Sequence, residues 1–347
     1  MRTHLLRPRS LVALLLLPLL YQPAPAEDKK PKPFPAKIKI ERVDPRFDKL
    51  IPKGTEVENL ADGFDWAEGP VWIKDGGYLV FSDIPKNTIW KWKEGDGISL
   101  YLKPSGYTGK RTDLKEPGSN GLLVDADGRL ILMEHGDRRV TRLEKDGKKT
   151  VLADKYMGKR LNSPNDGVFH SNGDLYFTDP PYGLMVKDKE GFPGQELDFC
   201  GVYRISKAGK LTLLTKELTK PNGIAFSPDE KTLYIAVSDP DKPVWMAYDV
   251  KKDGTLGKGK VFYDSTKWVK AKRKGLPDGM KVDKDGNLFA TGPGGVHVFA
   301  PDGTHLGTID TGVPTANCNW GDDGSVLYIA ADKNLCRIKT KTKGKGY

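Results

Sequence analysis

The chain has 347 residues and a formal net charge of +10, from 56 Lys and Arg against 46 Asp and Glu. The excess sits at the ends: residues 1–26 hold three Arg and no acid, 27–46 seven basic and four acidic residues, and 339–347 four Lys, while 47–338 balance 42 against 42. A neutral body with basic ends argues against nucleic-acid binding, which needs Lys and Arg clustered on one face.

Residues 1–26 read as an export signal. Arg2, Arg7 and Arg9 form a basic start, LVALLLLPLL an apolar core, and Ala24-Pro25-Ala26 a small-residue cleavage site. The apolar run is shorter than the ~20 residues a membrane helix needs. No Cys follows it to carry a lipid. The expectation is cleavage after Ala26, a periplasmic or secreted product, and no transmembrane segment afterwards. Residues 27–46 are rich in Lys and Pro and are expected to form an extended linker; the tail 339–347 has a similar character.

From residue 47 onward one pattern recurs: a polar residue, Gly or a small residue, a short apolar strand, a tight turn, and a second strand. Copies start at Glu68, Asn120, Asp166, Asn222, Asp278 and, more weakly, Asn317, at spacings of roughly 40–55 residues. The turns are D-G and N-G in type, which tolerate the positive φ of a hairpin. Further β-rich runs between copies, such as TIWKWKEG and GVYRISKAGKLTLL, supply outer strands. The fold class is therefore all-β, a six-bladed β-propeller over 47–338 forming one cooperative domain. Strand one leaves a face and strand two returns to it. Glu68, Asn120, Asn165, Asp166, Asn222, Asp278 and Asn317 should gather at one mouth of the central channel, with Asp83, His135, Asp179, Asp239 and Asp332 on the same side.

Asn, Asp and Gly before strands are also ordinary turn residues. Convergence of several on one channel mouth favours a site. Glu68, Asn165, Asn222 and Asp278 offer only oxygen and two negative charges, a set suited to Ca²⁺, with Mg²⁺ or Mn²⁺ as substitutes. A metal site in the central channel is the expectation, with Asp278 or Asp166 as a general base.

Four stretches carry a family resemblance: Glu-Gly-Pro-Val-Trp at 68–72, Ser-Pro-Asn-Asp-Gly at 163–167, Lys-Pro-Asn-Gly-Ile-Ala-Phe-Ser at 220–227 and Leu-Pro-Asp-Gly-Met at 276–280. Together they resemble the gluconolactonase, regucalcin (senescence marker protein) and luciferin-regenerating-enzyme-like family of six-bladed propellers over about 55–335. The resemblance implies one divalent metal (Ca²⁺ first; Mg²⁺, Mn²⁺ or Zn²⁺ next) on Glu68, Asn165, Asn222 and Asp278, and Asp278 as the base that opens a sugar lactone to its aldonic acid. It implies that His135 and Arg138, in a stretch like that of bacterial gluconolactonases, line the pocket. Asn120 and Asp166 complete the substrate-binding set, for a small-molecule lactone. Where the regucalcin branch has a substrate-binding Arg, this chain has Ser163. Two rivals stand: the same site acting on non-sugar lactones, esters or organophosphates, and a propeller that binds a ligand or protein without catalysis.

Cys200, Cys318 and Cys336 leave one unpaired in any disulfide scheme. Cys318 and Cys336 either pair across the last blade or serve as small buried hydrophobes. Tyr182 either walls the pocket or packs beneath its loop. Trp66, Trp72, Trp90 and Trp92 are expected to pack within blades.

Overall fold

A computed structural model describes residues 34–347. Six antiparallel sheets stand around a central channel as a six-bladed propeller. In the first four blades the strands follow chain order from the channel outward, as in Ala67–Ile73, Tyr78–Asp83, Thr88–Lys93 and Gly97–Leu102. The inner strands of the next four blades are Ser119–Val124, Gly167–Phe169, Pro221–Phe226 and Met280–Val282.

The sixth blade closes the ring. Its own strands are Thr315–Gly321, Val326–Ala331 and Asn334–Lys339, and its outermost strand, Val57–Asp62, comes from the other end of the domain, pairing Val57 with Ile338 and Asp62 with Asn334. Ring closure is thus a contact of high sequence separation, which joins the ends of the domain in one cooperative unit.

Both ends of the described chain carry more structure than their composition suggests. Within the segment expected to be an extended linker, Lys39–Arg42 adds a fifth strand to the fifth blade, pairing Lys39 with Asp310 and Arg42 with Gly307. The chain's Lys/Pro-rich character hides a four-residue stretch that an open sheet edge can complete. The tail folds back under the ring. Lys345 N donates to Val282 O at 3.0 Å, and Tyr347 Oη to Trp320 O at 2.9 Å. The expected export segment, 1–26, lies outside the described residues. Among the described residues no helix is long and apolar enough to cross a membrane.

The core lies between blades. Phe81, Leu79 and Trp92 of blade one meet Tyr328, Val326 and Leu335 of blade six; Trp245 and Tyr234 of blade four meet Phe299, Leu288 and Met280 of blade five. Trp72 stacks on Tyr328 at 5.6 Å and Trp90 packs by Phe64 at 6.3 Å, so three of the four Trp residues fill blade interfaces as expected. Trp66 instead reaches the channel mouth.

The cysteines are free and buried. Cys318 and Cys336 both pair with Ile329, one from each side. They are thus two strand spacings apart, about 10 Å, beyond the ~7 Å a disulfide spans. The buried-hydrophobe alternative is the one realised.

Candidate active site

The recurring polar-Gly pair has a steric cause. A Cβ on Gly121 would meet Asn165 O at 2.6 Å, and one on Gly223 would collide with Asp278 O. Glycine after the polar residue lets adjacent inner strands touch at the channel wall, where Gly121 N donates to Asn165 O at 2.7 Å. The residue before each glycine is thereby held at the channel.

A second repeated device holds those same residues, and it lies at the end of strand two. Ser82 Oγ donates to Asn120 O (2.8 Å), Thr178 Oγ1 to Asn222 O (2.8 Å), Thr291 Oγ1 to Ala316 O (2.9 Å), and Ser238 Oγ to Pro277 O. Each hydroxyl fixes the site backbone of the next blade. These residues escaped the sequence reading, although Ser82-Asp83, Thr178-Asp179, Ser238-Asp239 and Thr291-Gly292 stand in register with the repeat. The neighbouring carboxylates brace loops instead: Asp83 Oδ1 accepts from Asp65 N and Trp66 N, and Asp179 Oδ2 from Asn162 N.

A cavity of about 390 Å³ opens at this mouth. Its floor brings together Glu68, Asn120, Asn165, Asn222 and Asp278; Trp66, Glu116, Tyr182, Ser238 and Leu276 form walls. Four floor oxygens are buried without a hydrogen-bond partner: Oδ1 of Asn120, Asn165, Asn222 and Asp278. Asn222 Nδ2 donates to Ser238 Oγ at 3.0 Å, which turns its Oδ1 to the unpaired side.

Charge sharpens the picture. Burial, then the charge of Asp166, raises the Glu68 carboxyl to about 8. Burial, then Glu68 and Asp166, holds Asp278 well above the usual carboxylate range. Asp166 is also raised by burial, and the ammonium that offsets it and Glu68 is Lys281. Three buried carboxylates with so little positive charge, beside four unpaired acceptors, form a strongly electronegative pocket floor whose chemistry suits a cation. Among the described residues no three His, Cys, Asp or Glu gather as a metal site. The set here has two carboxylates, and its remaining donors are carboxamides, an oxygen-only chemistry that fits a hard dication.

Three residues expected in the pocket stand elsewhere. Asp166 lies beneath the floor: Gly167 N donates to its Oδ1 at 2.8 Å, and Asn317 Nδ2 reaches its Oδ2 at 3.3 Å and Glu68 Oε2 at 3.0 Å. With both oxygens engaged there, Asp166 does not wall the cavity. Arg138 is a brace. Its guanidinium donates through Nε to Leu161 O (2.7 Å) and Asn162 O (3.1 Å) and through Nη1 to Gly194 O (2.9 Å), tying the 161–162 and 194 segments together; Nη2 is buried without a partner, and the side chain does not line the cavity. His135 is fully buried behind Glu116, with Nδ1 3.3 Å from Glu116 Oε2. Of the two alternatives for Tyr182 the first holds: it walls the cavity, donating its hydroxyl to Ser238 O at 3.2 Å.

Most of the chain has known relatives. Residues 66–333 match the family described as the SMP-30/Gluconolactonase/LRE-like region. The chain is 41% identical to the gluconolactonase of Zymomonas mobilis over 312 residues, 88% of this chain and 87% of that one. It is 27% identical to the pentonolactonase XacC of Haloferax volcanii, over 76% of this chain and 80% of that one. The structure of a Xanthomonas campestris gluconolactonase superposes with a TM-score of 0.77 at 32% identity, covering 89% of this chain and 96% of that one. At 20% identity a calcium-binding regucalcin of Agrobacterium tumefaciens shares the fold, with a TM-score of 0.65.

Proposed function

This chain belongs to the SMP-30/gluconolactonase/LRE-like family as a lactone hydrolase, and from that premise we propose that it is an exported, divalent-metal-dependent enzyme opening a sugar lactone to the aldonic acid. The observation that carries the reading is the ring of unpartnered oxygens on Asn120, Asn165, Asn222 and Asp278 in one cavity. Turn residues satisfy their polar atoms locally; these leave theirs facing a space large enough for a six-membered ring.

Glu68, Asn165, Asn222 and Asp278 would hold Ca²⁺ or a similar dication, which supplies Lewis-acid polarisation of the lactone carbonyl when bound. The chain's own residues do the rest. Asp278 accepts a proton from water as the water oxygen bonds to the carbonyl carbon. The ring C–O bond then breaks, and the proton passes to the departing alkoxide, giving the hydroxy acid with no other reactant consumed. Asn120 Oδ1 accepts a substrate hydroxyl, and Trp66 and Tyr182 shed water from the ring faces. Export is supported by the sequence of 1–26 alone, and N-terminal sequencing of the mature protein from periplasm or medium tests it.

Hydrolysis of glucono-1,5-lactone, against a panel of unsubstituted lactones, aryl esters and an organophosphate, tests the function. The reading stands on sugar-lactone turnover. Turnover confined to the other substrates, or none at all in folded protein, contradicts it.

A further inference from the structure

Glu116 is a carboxylate of the cavity that the metal-and-base arrangement does not use. It sits on the loop before the second blade, clamped on both sides. Lys115 N donates to Met185 O (3.0 Å), Gly118 N to Ile84 O (2.9 Å), Gly136 N to Pro117 O (3.2 Å) and His135 N to Gly118 O (3.1 Å), while Leu114 bridges Val186. Four backbone hydrogen bonds in so short a stretch fix where the side chain can go. A quarter of it is exposed, facing the cavity.

Behind it stands His135, completely buried, with neither ring nitrogen in a hydrogen bond although Nδ1 lies 3.3 Å from Glu116 Oε2. The separation is within reach of a bond that is not made, and Nε2 is likewise without a partner. An imidazole serving only the core finds partners, because leaving a buried donor unmet is unfavourable. Oε2 is the Glu116 oxygen within reach of His135, and the side chain lines the cavity. Glu116 belongs to the lining of the cavity, on a loop separate from the strand starts that carry Glu68, Asn165, Asn222 and Asp278. It is therefore available to the hydroxyl-bearing part of a ring whose carbonyl meets the floor.

We infer that Glu116, braced by His135, accepts hydrogen bonds from the substrate's ring hydroxyls and selects polyhydroxylated lactones over bare ones. The inference rests on the lactonase reading and deepens it. A carboxylate accepts through two oxygens at the spacing of vicinal hydroxyls, and bonds to a charged acceptor are stronger than neutral ones. His135 is a positioning residue that acts through Glu116.

The test compares two rings of equal size, glucono-1,5-lactone and δ-valerolactone, which lacks the hydroxyls, on wild type, Glu116→Gln, Glu116→Asp and His135→Gln. The expected result for Glu116→Gln is a fall in kcat/KM of about 10- to 100-fold on gluconolactone, carried mainly by KM, with valerolactone within about two-fold. Glu116→Asp, which keeps the charge and should fold where Gln does not, shows a smaller loss on the polyol alone. His135→Gln, acting indirectly, follows the same KM pattern more weakly. Equal losses on both rings, a loss confined to kcat, or no loss on either ring overturns the inference while leaving the lactonase reading in place. Failure of wild type to open either ring removes both.

Discussion

The two ends of the central channel hold their carboxylates in different ways. At the far end Glu230 is saturated: Ser171 Oγ donates to its Oε2 at 2.5 Å, Lys345 Nζ to its Oε1 at 2.9 Å, and His170 Nδ1 lies 3.4 Å away. Tyr347 of the tail closes over Trp320. At the near end Asn120, Asn165, Asn222 and Asp278 keep oxygens unpaired and carboxyl groups raised by burial. Composition already differs: Glu68, Glu116, Asp278 and three Asn line the near end, whereas Glu230 at the far end stands among Lys, His and aromatic residues. Pairing differs as well: the far-end carboxylate is ion-paired, whereas the near-end floor oxygens are not, which suits the near end to a ligand.

The comparison breaks most visibly at Asp278. Replacing it with Asn removes the base and one carboxylate from a site where like charges repel. The expectation is a 10²- to 10⁴-fold loss of kcat with a melting temperature equal to or above wild type. A fall in both would make Asp278 a structural residue. Next comes the carboxamide of Asn222. Asn222→Ala should weaken Ca²⁺ binding, followed by calorimetry, by about 10-fold or more while leaving the circular dichroism spectrum intact; unchanged affinity would take Asn222 out of the ligand set.

A pH series sharpens the contrast further. Glu68 is raised from its ordinary 4.5 to about 8 in the folded protein, so between those values the metal-free fold holds a proton that the unfolded chain has lost. Stability of chelator-treated protein should therefore fall as pH rises from about 5 to 8, and added Ca²⁺ should raise the melting temperature more at pH 8 than at pH 5. A Ca²⁺ effect independent of pH would separate the cation from the buried carboxylates. The smallest effect belongs to the satisfied end. Lys345→Ala removes a partly exposed ion pair and should lower stability by no more than about 1 kcal/mol, with kcat/KM unchanged.

Much of this was legible in the chain. The period of the copies and their turn residues specify the propeller, and the polar-Gly pairs mark the floor because glycine is needed where inner strands touch. What stayed hidden has a common cause. Ring closure by Val57–Asp62 and the added strand Lys39–Arg42 depend on partners about 270 residues away. Asp166 sits one position after Asn165, on the opposite side of the same strand start, and its place beneath the floor depends on Asn317 of another blade. Arg138 and His135 are adjacent to the mouth in sequence order, yet which carbonyls or carboxylates they face is decided by the loops at 161–162 and 194 and by Glu116. Glu116 itself carries no repeat signature, since it lies in an inter-blade loop. The hydroxyls at Ser82, Thr178, Ser238 and Thr291 repeat visibly, but their meaning lies in the next blade's backbone.

The central claim is that the unpaired oxygens at the near mouth form a cation-dependent lactonase site. The most direct measurement is hydrolysis of glucono-1,5-lactone by protein stripped with chelator and then given Ca²⁺, Mg²⁺, Mn²⁺ or Zn²⁺ singly, with bound metal quantified in each sample. The account predicts turnover lost on stripping and restored by at least one of these ions at about one per chain. Full turnover in protein shown to be metal-free would contradict it.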